Sequence, residues 1–477
     1  MTRLRILTAA LAAAVASACS TLAPDYQRPP APVPASFPQA PGMVSAAAPA
    51  ADALPWRDFF AASGLRELIA LALDNNRDLR VTALNIERAR AQYRIQRADL
   101  FPAIGASGGQ TAQRLPAELV RGSAAGNGNG NGDATISRQY SATIGFSVWE
   151  LDFFGRLRSL NEQALELYLG TEEARRSAQI SLVAEVANAW LTLAADRERL
   201  ALARNTYRTR QESFELTRRS FEAGAVSALD LRQAETLQED ARADAARFAA
   251  LVAQDENALA LLAGTRVPPE LLPPQLADTL TAVAGLPAGV PSEVLVRRPD
   301  ILEAERRLRA ANANIGAARA AFFPSIMLTA AAGSASSTLD SLFSSGSGTW
   351  SFVPQIRIPI FEAGRLRANL DVAEIQRDIN VAQYERAIQG AFREVADALA
   401  ERATLAEQLD ARRRLVEATA ESFRLSEARY KGGVDSYLGV LDAQRTLYGA
   451  ELELIAVRES DAANRIALYK ALGGGWQ

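Results

Sequence analysis

Histidine is absent from this 477-residue chain, and cysteine occurs once, as Cys19. Without histidine the commonest general base and the commonest zinc ligand are missing. No Ser-His-Asp or Cys-His nucleophile system can be built either. One G-x-S-x-G match, Gly105-Ala106-Ser107-Gly108-Gly109, therefore stands without a triad. It follows a helical pattern instead of joining a strand to a helix, and it reads as small residues in a strand. A lone cysteine excludes an internal disulfide. No G-x-x-x-x-G-K-S/T motif offers a nucleotide cradle, and no cofactor or metal signature is present. Tryptophan is sparse, at 5 residues. The 52 basic and 55 acidic residues nearly cancel, leaving a net charge of −3. That balance argues against nucleic acid as a partner, which demands a basic face. After the N-terminal segment no run of about 20 unbroken apolar residues occurs, so no transmembrane helix is expected.

What is present begins with a secretory pattern. Arg3 and Arg5 precede an apolar run from Ile6 to Ala16, then Ser17 and Ala18. A charged start, a short apolar core and small residues before the cut form a signal peptide over residues 1–18. Cys19 at the cut is the expected lipid attachment site. Acyl chains there, with a second membrane element, would hold the chain to a bilayer.

The chain is also written twice. Asp78 to Pro102 resembles Asp300 to Pro324 at an offset of 222, with Phe101-Pro102 meeting Phe323-Pro324. Downstream the offset is 209. Gly155-Arg156-Leu157-Arg158 recurs as Gly364-Arg365-Leu366-Arg367, and Gly224, Ser227 and Leu229 recur as Gly433, Ser436 and Leu438. The fall from 222 to 209 places thirteen extra residues in the first copy, between Pro102 and Gly155. The tract Gly126-Asn127-Gly128-Asn129-Gly130-Asn131-Gly132 lies there and reads as a flexible loop.

Each copy reads helix, strand, loop, strand, long helix, turn, long helix. Period-two alternation marks the strands. Tyr140, Ala142, Ile144, Phe146 and Val148 alternate with polar or small residues, as do Trp350, Phe352, Pro354, Ile356, Ile358 and Ile360. Ile326, Leu328, Ala330 and Ala332 mark another strand. Each is about ten residues, enough to cross a bilayer when tilted. Pro354 and Pro359 are awkward for a central strand. From Arg156 to Glu222 there is no proline and one interior glycine, Gly170. That predicts one helix on the order of 100 Å long. Arg365 to Lys431 predicts a second, and a return helix is expected from each of Ser227 and Ser436, with the serine suited to cap it. Residues 19–60 form an anchor and connector, 61–266 a first repeat, 267–295 a Pro-rich linker and 296–477 a second repeat.

Four membrane-length strands cannot close a barrel, and an open edge is forbidden in lipid. The chain must therefore oligomerise if the strands enter a membrane, as a dimer with eight strands or a trimer with twelve. The long helices would continue the cylinder as packed hairpins.

Several motifs carry a family resemblance. Cys19 with Pro24-Asp25-Tyr26-Gln27-Arg28-Pro29 opens the mature chain, and Arg297-Arg298-Pro299-Asp300-Ile301 through Phe322-Phe323-Pro324 stands at its centre. Leu468-Tyr469-Lys470-Ala471-Leu472-Gly473-Gly474-Gly475-Trp476 closes it. Together they resemble the TolC-like outer-membrane efflux proteins, in the lipoprotein branch of the OprM and NodT type. The resemblance implies a mainly α protein with a membrane β-barrel part. Long helical hairpins would form a periplasmic tunnel, and four strands per chain would join a shared twelve-stranded barrel in a homotrimer. It implies a passive export conduit in the outer membrane and no enzyme. Its expected partners are a periplasmic adaptor protein, an inner-membrane transporter and outer-membrane lipid.

By the same resemblance Tyr430, Leu438 and Asp442 are expected to close the tunnel. Leu438 and Asp442 stand four apart on one helix face, so three copies would set an apolar ring beside an acidic one. The first copy carries Phe221, Leu229 and Gln233 at those positions, and Val226 where the second has Asp435. The acids belong to the second hairpin, and the gate, Asp435 included, is assigned there. The turns themselves, with Gly224, Ser227 and Leu229 in one and Gly433 and Ser436 in the other, are the expected adaptor contacts. Two other classes compete: a lipid-anchored scaffold of coiled-coil hairpins, and a cell-wall enzyme. The alternating strands oppose the first. The second needs paired carboxylates in a cleft, and the acids here are spread along helices.

Overall fold

The computed structural model describes residues 21–37, 54–116, 135–277, 281 and 292–476. Cys19, the signal segment and the Gly126–Gly132 tract lie outside these residues. Three short or medium helices come first: α1 (Trp56–Phe59), α2 (Ser63–Asn75) and α3 (Arg77–Ala98). Strands β1 (Ile104–Leu115) and β2 (Thr135–Leu151) follow, then α4 (Arg156–Glu222) and α5 (Ala228–Ala263). The second half repeats the order as α6 (Pro299–Ala320), β3 (Ser325–Ser336), β4 (Gly348–Arg357), α7 (Arg365–Lys431) and α8 (Tyr437–Ala471). Short 3₁₀ turns occupy Pro269–Leu271 and Ser292–Arg297.

Both long helices run 67 residues without a break, as the absence of proline permits. Each is about 100 Å long. One stretch of α4 has the mean hydropathy of a membrane span by composition, although charged residues such as Glu185 interrupt it, and 61% of it is buried. Leu182, Val183, Val186, Ala187, Trp190, Leu191 and Ala194 supply that burial, so the stretch is protein core.

The described part of the chain divides into two compact units. One draws on the described residues up to Arg28 and on those within Glu87–Leu169 and Arg306–Val381; the other draws on those within Pro29–Ile86 and Gly170–Glu305 and on those from Ala382 onward. Each unit takes residues from both halves of the repeat.

In the first unit the strands form one antiparallel sheet in the order β1-β2-β3-β4. The ladder sorts side chains by face. Ile104 pairs with Phe146, Ala106 with Ile144, Phe146 with Ala330, Ala332 with Trp350, and Ala330 with Phe352, all on one apolar row. The other row carries Ser107 and Thr143, whose hydroxyls lie 3.0 Å apart. β2 is longer than expected, at 17 residues. Its alternation ends at Phe146, where the register shifts and Val148 adopts φ 56°. β4 stops at Arg357, so Ile358 and Ile360 fall beyond the strand, and Pro359 with them. Pro354 does lie in a strand, the outermost of this chain's sheet. Gly145 and Gly333 permit the close approach of the β2 and β3 backbones. A Cβ on Gly145 would lie 2.0 Å from the Ala330 carbonyl oxygen, and one on Gly333 would lie 2.0 Å from that of Ala142.

The same unit seats the extended chain after Thr21. Asn312 donates to the Pro24 carbonyl at 2.7 Å, and the Arg309 guanidinium lies 4.8 Å from the Tyr26 ring centroid. Gly316 and Gly155 give this segment room: a Cβ on either would reach within 2.7 Å of its backbone.

The second unit holds the main core. In α2, Leu65, Leu68, Ile69 and Ala72 recur at helical spacing and are buried. They join Leu193, Ala194, Leu259, Ala263, Ile455 and Tyr469 in one cluster. Phe37 enters the same core from the N-terminal connector and stacks on Phe392 at 4.8 Å. The linker is pinned too: Trp190 donates to the Leu271 carbonyl at 2.9 Å and Arg197 to that of Pro273 at 2.6 Å. The closing motif packs inward. Tyr469 stacks on Phe59 at 3.9 Å, its hydroxyl donates to the Leu54 carbonyl, and a Cβ on Gly474 would strike its ring at 2.2 Å. The central motif contributes Arg298, which is buried and donates to Asp300, Glu394 and the Ala471 carbonyl at the end of α8.

Candidate functional site

The turns after α4 and α7 are built alike. Each long helix ends on a glycine with positive φ, Gly224 at 76° and Gly433 at 72°. Gly224 N–H donates to the Phe221 carbonyl and Ala225 N–H to that of Ser220; Gly433 and Val434 do the same to Tyr430 and Arg429. These paired bonds satisfy the carbonyls that the helix end leaves free, and glycine is needed because an L side chain resists that φ.

The next step differs between the copies. Ser227 caps α5 with a full capping box: its hydroxyl accepts from Asp230 N–H and its backbone N–H donates to the Asp230 carboxylate. Ser436 stands at the start of α8 with the same extended backbone, but its side chain accepts no cap bond. The residue three further on is Gly439, which has no side chain to complete the box. The expected serine cap therefore exists in the first hairpin only.

Other links replace it in the second turn. Arg429 forms a two-pronged pair with Asp435, at 2.5 and 3.1 Å, and holds that carboxylate below its usual range. Ser220 and Val226 occupy the corresponding places in the first turn and can form no such pair. Tyr430 and Tyr437 lie with ring centroids 4.9 Å apart. Burial pushes the Tyr437 phenol up, while hydrogen bonds with Ser213 and Thr217 on α4 pull it back. Tyr437 thus ties the start of the second return helix to the first long helix. The repeat comparison offered a signal for it, since the first copy has Ala228 there.

Further along α8, Leu438 and Asp442 come together as expected. They line a cleft of about 210 Å³ with Leu441 and Arg445, faced by Gln233, Thr236 and Leu237 of α5. Gln233 is the repeat counterpart of Asp442, so the two copies meet across this cleft with an amide against a carboxylate. Leu438 is 53% exposed and Leu229 66% exposed. Asp442 pairs with Arg445 at 2.5 Å, and both are solvated. Tyr430 and Asp435 contact residues of their own turn, and neither lines the cleft.

Beyond the cleft a buried polar seam joins three helices. Arg210 of α4 is fully buried and donates to the Leu237 carbonyl at 2.8 Å and to Asp240 at 3.3 Å. Tyr448 of α8 donates to Asp244 of α5 at 2.9 Å. Thr419 and Glu239 stand at the counterparts of Arg210 and Tyr448, so this seam too is particular to one side of the repeat. Nearer the core, Arg199 bridges Asp196 and Glu459 at 2.6 Å each, and Asp255 crowds the same acids. Burial first, then Asp196 and Glu459, push Asp255 up to about 6. Among the described residues no group of histidine, cysteine and acidic side chains is arranged to hold a metal ion.

Comparisons with known proteins agree with this architecture. The family model described as outer membrane efflux protein matches residues 68–265 and 290–474. The toluene efflux pump outer membrane protein TtgC of Pseudomonas putida is 54% identical over 473 residues, covering 99% of this chain and 96% of its own. A membrane protein from Pseudomonas aeruginosa has a crystal structure that superposes with a TM-score of 0.88 at 44% identity, over 96% of this chain and 98% of its own. The open state of the MtrE outer membrane channel of Neisseria gonorrhoeae gives 0.84 at 40% identity, over 96% and 99%. The chain belongs to the outer membrane efflux protein family.

Proposed function

We propose that three copies of this chain form the outer-membrane duct of a tripartite export system, with a gate at the second helical turn. The observation that carries the channel reading is the four-stranded sheet, apolar on one face, polar on the other, with β1 and β4 left as open edges. Such edges cannot stand in lipid, and twelve strands from three copies close them. Exposed apolar residues on the helices support assembly as well, notably Val81, Leu84 and Ile95 on α3 and Val372, Ile375 and Ile379 on α7. The duct is passive: adaptor and inner-membrane transporter supply the energy and choose the cargo. TtgC is named for toluene efflux, and small apolar compounds of that kind are the cargo proposed here.

The gate comprises Leu438 and Asp442, with Tyr430 and Asp435 holding the turn beside them. The cleft shared with Gln233 supports this, because it leaves room for α8 to shift against α5. Adaptor docking at the turns, through Gly224, Ser227 and Leu229 and through Gly433 and Ser436, shifts the population from closed to open. Cys19 carries the lipid anchor after removal of residues 1–18. Residues 19–60 run from that anchor to the first repeat (61–266), and 267–295 link it to the second (296–477).

Purified protein in mild detergent tests the assembly. A heat-resistant trimer that inserts into planar bilayers and conducts ions is expected. A monomer that remains soluble without detergent and never conducts would overturn the reading in favour of a periplasmic scaffold.

A further inference from the structure

All four helix ends attach to one end of the sheet: α3 before β1, α4 after β2, α6 before β3 and α7 after β4. β1 ends and β2 begins, and β3 ends and β4 begins, at the opposite end. On the apolar face, the row through Ile104, Ala106, Phe146, Ile144 and Ala142 proceeds towards that opposite end and meets Tyr140. Beyond Tyr140 the same face carries Arg138 on β2 and Arg114 on β1. Arg138 is paired with Ala112 and Arg114 with Ile136, so the two arginines are diagonal neighbours, about 7–8 Å apart. Both are exposed. Among the described residues neither pairs with a carboxylate. The neighbouring ladder ends in Ser334 and Gly348, which carry no charge, so the basic corner belongs to the β1–β2 hairpin alone.

The height of this corner decides what it meets. From Ile104 to Arg114 the strand rises about 33 Å. With the tilt typical of membrane barrels that corresponds to roughly 25 Å along the membrane normal, the height of an outward apolar band. If Ile104 lies at the inner boundary, the arginines lie at the outer one, level with headgroups. Arginine extends its apolar stem along the band and offers its planar fork to phosphate.

We infer that Arg114 and Arg138 form a binding site for the phosphate groups of glycolipid in the outer leaflet, one site per chain. This rests on the sheet being the membrane wall of the channel. The phosphorylated glycolipid of that leaflet is the committed occupant because the arginines face away from the end where the helices attach.

The test is native mass spectrometry of the full-length protein in detergent, titrated with diphosphorylated lipid A, dephosphorylated lipid A or phosphatidylglycerol. Wild type should retain diphosphorylated lipid A, and the Arg114→Gln/Arg138→Gln variant should bind it about thirty-fold more weakly. Dephosphorylated lipid A should be retained by neither. Equal retention by the variant, or equal binding of dephosphorylated lipid A, would overturn the site. Equal, arginine-dependent retention of phosphatidylglycerol would overturn the choice of glycolipid. Conductance in planar bilayers separates the two readings. A variant that conducts like wild type has lost only lipid, whereas a wild type that never conducts removes the channel on which the site rests.

Discussion

The Tyr448 hydroxyl on α8 donates a 2.9 Å hydrogen bond to Asp244 on α5, and the buried Arg210 guanidinium of α4 lies 5.3 Å from the centre of the same ring. Asp244 also receives a 2.8 Å bond from Arg247, so it keeps a partner if the phenol is lost. Tyr448→Phe should therefore cost only about 1 kcal/mol. Arg210→Ala removes a long buried side chain from between three helices and should cost about 3 kcal/mol. Heat-induced dissociation of the assembly ranks the two. A Tyr448 variant weaker than the Arg210 variant would show that the arginine is not the main prop of this seam.

Gly145 and Gly333 face neighbouring backbone that leaves no space for a side chain. Gly145→Ala should force β2 away from β3 and cost about 3 kcal/mol, seen as reduced heat resistance or failure to insert. Gly105→Ala, on the same face of β1 with open space around it, is the control and should be near neutral. Equal behaviour of the two variants would contradict the close approach of β2 and β3 at Gly145.

Arg298 ties the start of α6 to the end of α8 through Asp300, Glu394 and the Ala471 carbonyl. Glu394 is about half exposed, at 50%, and Asp300 about a third, at 37%, so both retain some water when the arginine is lost. Arg298→Met should cost about 2 kcal/mol, below the full penalty of an orphaned buried charge. Circular dichroism melting of the detergent-solubilised protein measures it.

Asp255 gives the protein a pH dependence. Its pKa is pushed from 3.8 up to about 6, so the folded chain holds a proton that the unfolded chain has released. The stability this contributes is complete below pH 3.8 and is lost as the pH rises through about 6. Asp255→Asn should accordingly stabilise the protein above pH 6, by about 1 kcal/mol after solvent screening, and change little near pH 4. Melting temperatures at pH 4.5 and 7.5 give the comparison. A variant destabilised at the higher pH would contradict the crowding of Asp255 with Asp196 and Glu459.

The long helices were legible because no proline interrupts Arg156 to Glu222 and apolar residues such as Ile180, Val183, Ala187, Trp190 and Ala194 recur there at three- and four-residue steps. The repeat also placed both turns, since Gly224 and Gly433 recur at the same offset and adopt a positive φ that most L residues resist. The strand ends were less legible. Val148 fits a period of two, yet the bulge after Phe146 is set by pairing with β3, which local pattern does not contain. Ile358 and Ile360 extend an alternation that backbone pairing ends at Arg357. At the site, Leu438 and Asp442 share a face by helical spacing alone. Their cleft partner Gln233, the link from Tyr437 to α4, and the Arg210–Tyr448–Asp244 seam depend on which helices pack together. Differences between the copies, Tyr437 against Ala228 and Tyr448 against Glu239, are the sequence trace of those contacts.

The central claim is a conduit closed at the second hairpin, and ion conductance in planar bilayers tests it most directly. Wild type and the Leu438→Ala/Asp442→Ala variant are compared as trimers shown to be inserted. The account predicts low conductance from the wild type and a clear rise in the variant. A variant that stays as tight as a conducting wild type would contradict the gate, and silence from both would contradict the channel itself.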